Sequence, residues 1–299
     1  MYPYYPYYSK KIECEEKPLT FPPQAQDQQP GFEYLMNPRP ISENLDYIGS
    51  GKLEGKTAII SGGDSGIGRA VGYAFAKEGA DLVIPYYNEH QDAEETKRRI
   101  ESFGRRCLLI PGDLTKEKQN EMVVSETLET FGKIDVVVNN LAVQYPQVDF
   151  LKITAEQFDK TFKTNIYAYF YMAKEAVPHL KQGASIINTA SVTAYKGQKE
   201  LVDYSATKGA IVSFTRSLSL NLIPKGIRVN SVAPGPVWTP LTVSSFDADR
   251  VSKFGLQSAS KRAAQPFELA AAYVYLASDD SRYVTGETLH VNGGQMVTA

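Results

Sequence analysis

A tyrosine and a lysine four positions apart, in Tyr204-Ser205-Ala206-Thr207-Lys208, put a phenol and an ammonium on one face of a helix predicted from Asp203 onward. A free phenol titrates at about pH 10 and is a poor proton relay at neutrality. A lysine cation beside it favours the phenolate and draws its pKa toward the working range of a general acid/base. The spacing alone is equally that of a solvated helix face. Ser191 gives it weight, because it stands 13 residues upstream at the end of the buried run Ile187-Asn188-Thr189-Ala190-Ser191. In α/β folds, ligands lie at the carboxyl ends of strands. A hydroxyl, a phenol and an ammonium would thus converge there, able to stabilise charge on a reacting oxygen and to move its proton.

The elements that must position these groups are legible from Lys56 onward, where short apolar runs alternate with longer helix-compatible segments in the manner of βαβ units. Strands are predicted over 57–61, 81–86, 106–111, 134–139, 184–189, 227–232 and 288–291, and helices over 67–77, 117–131, 155–180, 203–222 and 266–276. The first strand runs into Ser61-Gly62-Gly63-Asp64-Ser65-Gly66-Ile67-Gly68, a glycine-rich turn opening a helix. Glycines there permit positive φ and close approach of a pyrophosphate, and the helix N-terminus offers free N–H groups and a favourable dipole. A turn without ligand is the alternative.

The spacing of Gly62, Gly66 and Gly68, joined to Ser191, Tyr204 and Lys208, resembles that of the short-chain dehydrogenase/reductase family over about residues 56–299. The resemblance implies a single-domain, Rossmann-like, doubly wound α/β fold. Its parallel seven-stranded sheet has the order 3-2-1-4-5-6-7 and binds NAD or NADP. It also implies hydride transfer between that cofactor and a small-molecule alcohol, aldehyde or ketone, in a homotetramer with the helices around Asn165 and Tyr204 at its interface. By the same resemblance Tyr204 is the catalytic acid/base, Ser191 holds the substrate oxygen, and Lys208 lowers the tyrosine pKa and bonds the nicotinamide ribose. Asn165, in Thr164-Asn165-Ile166-Tyr167, completes a proton relay through water.

The cofactor would then lie along Ser61, Gly62, Asp64, Ser65, Gly66, Ile67 and Gly68, with Tyr86 and Tyr87 at the end of the second strand. Asp113 and Leu114 would meet the adenine, although Asp113 also suits a helix N-cap. Asn140 and Ala142 would stand at the fourth strand's end, and Pro234, Gly235, Val237 and Thr239 around the nicotinamide, ahead of a substrate lid over 241–262 that offers Phe246 and Phe254. The fourth strand ends Asn139-Asn140-Leu141-Ala142 where the family more often reads NNAG, so a changed cofactor-side wall is expected, with positive φ disfavoured at Ala142. An acid selecting NAD is sought 18 to 20 residues past the last glycine, where Tyr86, Tyr87 and Asn88 stand, so NAD against NADP stays open. Arg69 either reaches a phosphate or lies on the helix surface.

The rest of the composition narrows the partners. With 299 residues, 42% of them hydrophobic, the chain can bury a sizeable core. A net charge of −2 with no block of like charge argues against nucleic acid. Cys14 and Cys107 read as free thiols of a reducing compartment, and the scattered His90, His179 and His290 offer no metal site. Neither a secretory signal nor an apolar run long enough for a bilayer is found, so no membrane is expected and the cytoplasm is the expected location. Eight of the 17 prolines fall in the first 40 residues, marking residues 1–50 as a Tyr/Pro-rich extended arm ahead of a domain over 51–299. Its composition disfavours helix or sheet; a disordered tail is one reading, and docking on the domain or a neighbouring subunit, which its aromatics favour, is the other. Asp27-Gln28-Gln29-Pro30-Gly31 and Met36-Asn37-Pro38-Arg39-Pro40 resemble the N-terminal extension of a bacterial general-stress and aldehyde-reductase-type subgroup. A second function, a non-catalytic nucleotide-binding sensor or scaffold using the arm for interaction, would ordinarily have lost a catalytic residue, and none is missing.

Overall fold

The computed structural model describes residues 10–12 and 16–296. Strands β1 (Lys10–Ile12) and β2 (Glu16–Pro18) pair antiparallel, so the arm forms a short hairpin where its composition predicted none. Such strands need only three paired positions, and the one proline among them, Pro18, stands at the end of the ladder opposite Lys10. Met1 to Tyr8 and Cys14 lie outside the described residues.

The remaining strands, β3 (Thr57–Ile60), β4 (Asp81–Tyr86), β5 (Cys107–Pro111), β6 (Ile134–Asn139), β7 (Leu180–Thr189), β8 (Arg228–Pro234) and β9 (Thr288–Val291), form one parallel sheet in the order β5-β4-β3-β6-β7-β8-β9. Counted within that sheet, the order is the expected 3-2-1-4-5-6-7. A sheet covered on both faces needs apolar residues at every position, and successive ones face opposite ways. Ile60, Ile84 and Val138 accordingly join one core layer, and Ile59, Val83 and Val137 the other.

Helices α1 (Gly66–Lys77) and α2 (His90–Ser102) follow the first two strands. Next come α3 (Glu117–Phe131), α4 (Ala155–Phe162), α5 (Ala168–Ala176), α6 (Thr193–Lys196), α7 (Val202–Leu222), α8 (Pro240–Val243), α9 (Ala248–Ser252) and α10 (Phe267–Ala277). The single helix predicted over 155–180 is interrupted: between α4 and α5, Lys163–Tyr167 winds as a π-turn in which the Ala168 N–H reaches back five residues to the Lys163 carbonyl. The chain leaves it through a 3₁₀ turn, and Leu180 already pairs with Ile134 as the start of β7.

From Phe21 onward the arm is docked. Phe21 and Met36 are buried with Tyr204, Trp238 and the lid residues Val243, Phe246 and Val251 in a core of their own. Phe21 stacks on Trp238 with ring centroids 3.7 Å apart, and the indole N–H donates to the Pro38 carbonyl at 3.0 Å. Among the described residues no helix is long and apolar enough to cross a membrane.

Candidate active site

Parallel pairing brings the carboxyl ends of β3, β6, β7 and β8 to one edge, and the predicted groups gather there. Ser191 follows β7; Tyr204 and Lys208 sit in the first two turns of α7, both buried. All three line a cleft of about 640 Å³, together with Gln144, Pro234, Gly235, Val237 and Thr239. The Ser191 hydroxyl oxygen accepts from the Thr193 backbone N–H and from the Thr193 hydroxyl, both at 3.1 Å, which leaves the serine proton free to be donated. The Lys208 ammonium donates to the Thr189 carbonyl at 2.7 Å, its nitrogen 5.5 Å from the Tyr204 ring centre.

Burial dominates the titration of this pair. It pushes the Tyr204 phenol up to about 12, although a hydrogen bond with Ser191 draws it partly back. It lowers the Lys208 ammonium to about 7. The expected depression of the phenol by the lysine is therefore not found in the protein alone: burial penalises the charged form of each group.

Asn165 lies in the π-turn, fully buried behind the cleft wall. Its carbonyl oxygen accepts from the Val143 N–H at 2.9 Å, and its amide donates to the Val143 carbonyl at 2.9 Å and the Thr207 hydroxyl at 3.1 Å. Thr207 in turn donates to the Tyr204 carbonyl at 2.7 Å. The asparagine thus ties the wall to the helix that carries the phenol, with both amide protons used on protein.

The glycine-rich loop continues the cleft. Gly62 and Gly66 have φ of +64° and +52°. A Cβ on Gly68 would stand 2.1 Å from the Gly62 carbonyl oxygen, so only glycine lets α1 approach its own loop. Ser61 is buried; its hydroxyl accepts from the Asn140 N–H at 3.0 Å and fixes the loop against β6. Gly62, Asp64, Ser65, Gly66, Ile67, Asn140, Ala142 and Thr239 line one stretch of the continuing cleft. Farther along, Tyr86, Tyr87, Asp113 and Leu114 line a cavity of about 410 Å³. Asp113 caps a turn by accepting from the Thr115 N–H at 3.0 Å, whereas α3 begins after Lys116, so Asp113 is not its N-cap. Ala142 is not among the residues of positive φ, so the departure from NNAG carries no backbone strain there.

Three features escaped the sequence reading. Glu89 stands 21 residues past Gly68, just outside the window searched, and it is buried beside Asp64 on the cleft. Burial and the facing Glu89 raise the Asp64 pKa, and burial raises that of Glu89, so the two share their charge unwillingly. Arg69 neither reaches the cleft nor lies on the surface: it is buried, 2.6 Å from the Glu33 carboxylate and 3.2 Å from that of Asp92. Glu33 itself comes from the arm, and its other oxygen accepts from the Gly66 N–H at 2.6 Å, at the N-terminus of α1. Third, Gln144 lines the catalytic cleft. Cys107 is a free, buried thiol, and no group of residues suited to a metal occurs among the described residues.

Residues 62–296 match the family model described as enoyl-(acyl carrier protein) reductase. The chain is 52% identical to General stress protein 39 of Bacillus subtilis over 281 residues, 94% of this chain and 98% of that protein. It is 48% identical to the chloroplastic NADPH-dependent aldehyde reductase 1 of Arabidopsis thaliana over 283 residues, 92% of this chain and 98% of that one. The fold matches that of a 3-ketoacyl-(acyl-carrier-protein) reductase from Brucella melitensis, complexed with NADH, at a TM-score of 0.75 and 32% identity, over 82% of this chain and 100% of that one. Fold, site and relatives agree: the chain belongs to the short-chain dehydrogenase/reductase family of oxidoreductases.

Proposed function

We propose that the protein moves a hydride between NAD(H) or NADP(H) and the carbon of a small alcohol, aldehyde or ketone, with Tyr204 as general acid/base. The observation that carries this reading is the meeting of the Ser191 hydroxyl, the Tyr204 phenol and the Lys208 ammonium at one end of a cleft that continues to a glycine-rich loop. That cleft suits a dinucleotide: Gly62, Ser65 and Ile67 line it where α1 begins, and the N–H groups of a helix N-terminus favour a pyrophosphate, while the Gly66 N–H is held by Glu33. Gly62, Ser65 and Ile67 would hold the pyrophosphate, Asp113 and Leu114 the adenine, and Val237, Thr239 and Lys208 the nicotinamide end.

The bound dinucleotide supplies or accepts the hydride. In reduction, Tyr204 gives its proton to the substrate oxygen while the Ser191 hydroxyl, turning its proton from the phenol to the substrate, hydrogen-bonds the same oxygen. In oxidation, the phenolate takes the proton back. Asn165 acts as a positioning residue, through Val143 and through Thr207 on α7.

The Asp64–Glu89 pair favours NAD(H). Buried carboxylates accept hydrogen bonds from a ribose diol but repel a 2′-phosphate. We also assign a homotetramer, because α4 and α5 leave Phe158 and Phe170 45% and 49% exposed, apolar surface suited to a subunit contact. The function is tested with purified protein, NADH and NADPH, and a panel of aldehydes, ketones and sugars. Turnover with at least one carbonyl compound is expected; tight cofactor binding without turnover across the panel would favour the sensor instead.

A further inference from the structure

The cleft wall after β6 belongs to no helix or strand, yet two consecutive residues in it have both backbone groups satisfied. Val143 is held from the helix side by Asn165, whose carboxamide accepts from its N–H and donates to its carbonyl. Gln144 is held in the same fashion by Gln29 of the arm: the Gln144 N–H donates to Gln29 Oε1 at 3.0 Å, and Gln29 Nε2 donates to the Gln144 carbonyl at 2.5 Å. Each carboxamide presents one acceptor and one donor in a plane, and so reproduces what a neighbouring strand would offer. Gln29 does more, since its Nε2 also lies 3.2 Å from the Ser244 carbonyl and 3.5 Å from the Ser245 hydroxyl, both in the lid. Beside it the Gln26 N–H donates to the Val243 carbonyl at 2.7 Å, and Gly31 lies so close to Pro240 that a Cβ would stand 2.8 Å from its carbonyl oxygen.

Gln144 is buried, lines the cleft with Ser191 and Tyr204, and its own carboxamide makes no hydrogen bond among the described residues. We propose that Gln29 is a positioning residue of the substrate cleft: it fixes Gln144 in the wall and fastens the lid to that wall, so the arm sets the shape of the space in front of Tyr204. The substrate-binding part of this inference rests on the function proposed above; the structural part does not.

Two variants separate the possibilities. Gln29→Met keeps the length and removes both bonds, whereas Gln29→Glu keeps the acceptor for the Gln144 N–H and removes the donor. Amide hydrogen exchange on the full chain without substrate is read first. In Gln29→Met the Gln144 amide should exchange at least tenfold faster, with the α7 amides unchanged and the melting temperature within a few degrees of wild type. Gln29→Glu should keep most of the Gln144 protection. Unchanged exchange at Gln144 in Gln29→Met, or faster exchange spread over the whole chain, would overturn the proposal. Kinetics with glyceraldehyde as probe are read second, expecting a KM raised at least fivefold with kcat and the cofactor Kd within twofold. Loss of kcat with KM unchanged would overturn the substrate role. A wild type that is inactive but shows the exchange pattern would count against the enzymatic reading and leave the wall-and-lid role standing.

Discussion

Tyr204 and Lys208 are buried together, and burial moves them in opposite directions: the phenol up to about 12, the ammonium down to about 7. In the protein alone the phenol therefore keeps its proton across the neutral range, while the ammonium titrates within it. The sign for activity follows from the proposed mechanism, in which reduction needs the protonated phenol and oxidation needs the phenolate. With the cofactor saturating, so that titration of Lys208 does not limit its binding, kcat for carbonyl reduction is expected to stay level from pH 6 to 9, within about twofold, while that for alcohol oxidation climbs over the same interval by up to about tenfold per unit. Initial rates in both directions across that range check it. The Asp64–Glu89 pair makes a second prediction. Glu89→Gln removes one carboxyl of the pair and lowers the negative charge it can hold, and the NADPH-to-NADH ratio of kcat/KM should rise about tenfold, or ~1.4 kcal/mol; steady-state kinetics with both cofactors check it. The grouping of Ser191, Tyr204 and Lys208 was readable because Tyr204 and Lys208 lie four apart on one helix and Ser191 follows a strand. Glu89 was not, because the turn after β4 carries the acid farther along than the usual interval. Arg69 was not either, since its buried partner Glu33 comes from the arm and no local pattern announces it.

At the scale of elements, the glycine-rich loop is the most tightly determined piece. Gly68→Ala would drive a methyl into the Gly62 carbonyl, 2.1 Å from the ideal Cβ position. Overpacking of this kind costs about 1–3 kcal/mol, and it should appear as a lower melting temperature together with weaker cofactor binding in a fluorescence titration. Helix α2 was missed in the sequence for a physical reason: its buried stripe is Asp92, Ala93, Thr96 and Ile100, largely polar or small. Those polar groups are satisfied, Asp92 by the Glu33 and Tyr34 N–H groups and Thr96 by the Asp64 carbonyl. Hydrophobic periodicity therefore has little to register. The π-turn at Asn165 was equally hidden, because 155–180 carries helical periodicity throughout and a single inserted residue leaves the sequence pattern intact.

Across the whole molecule the seven strands were legible because each is an apolar run closed by a turn, whereas their order was what the family resemblance implied, and the sheet has it. The arm was less so: its aromatics pointed to docking, and Phe21 on Trp238 meets that expectation, but which surface it would choose depended on a lid and a wall far away in sequence. The exposed Phe158 and Phe170 belong to this scale too. Light scattering should give four times the chain mass of 33.1 kDa, and Phe170→Glu should shift the population toward smaller species. The claim on which the account depends is that the Tyr204 hydroxyl moves the proton. Tyr204→Phe, assayed with NADH or NADPH and the best carbonyl compound of the panel, tests it most directly. The account predicts a kcat lower by at least 10²-fold, with the cofactor Kd and the melting temperature little changed; turnover within a few-fold of wild type would contradict it.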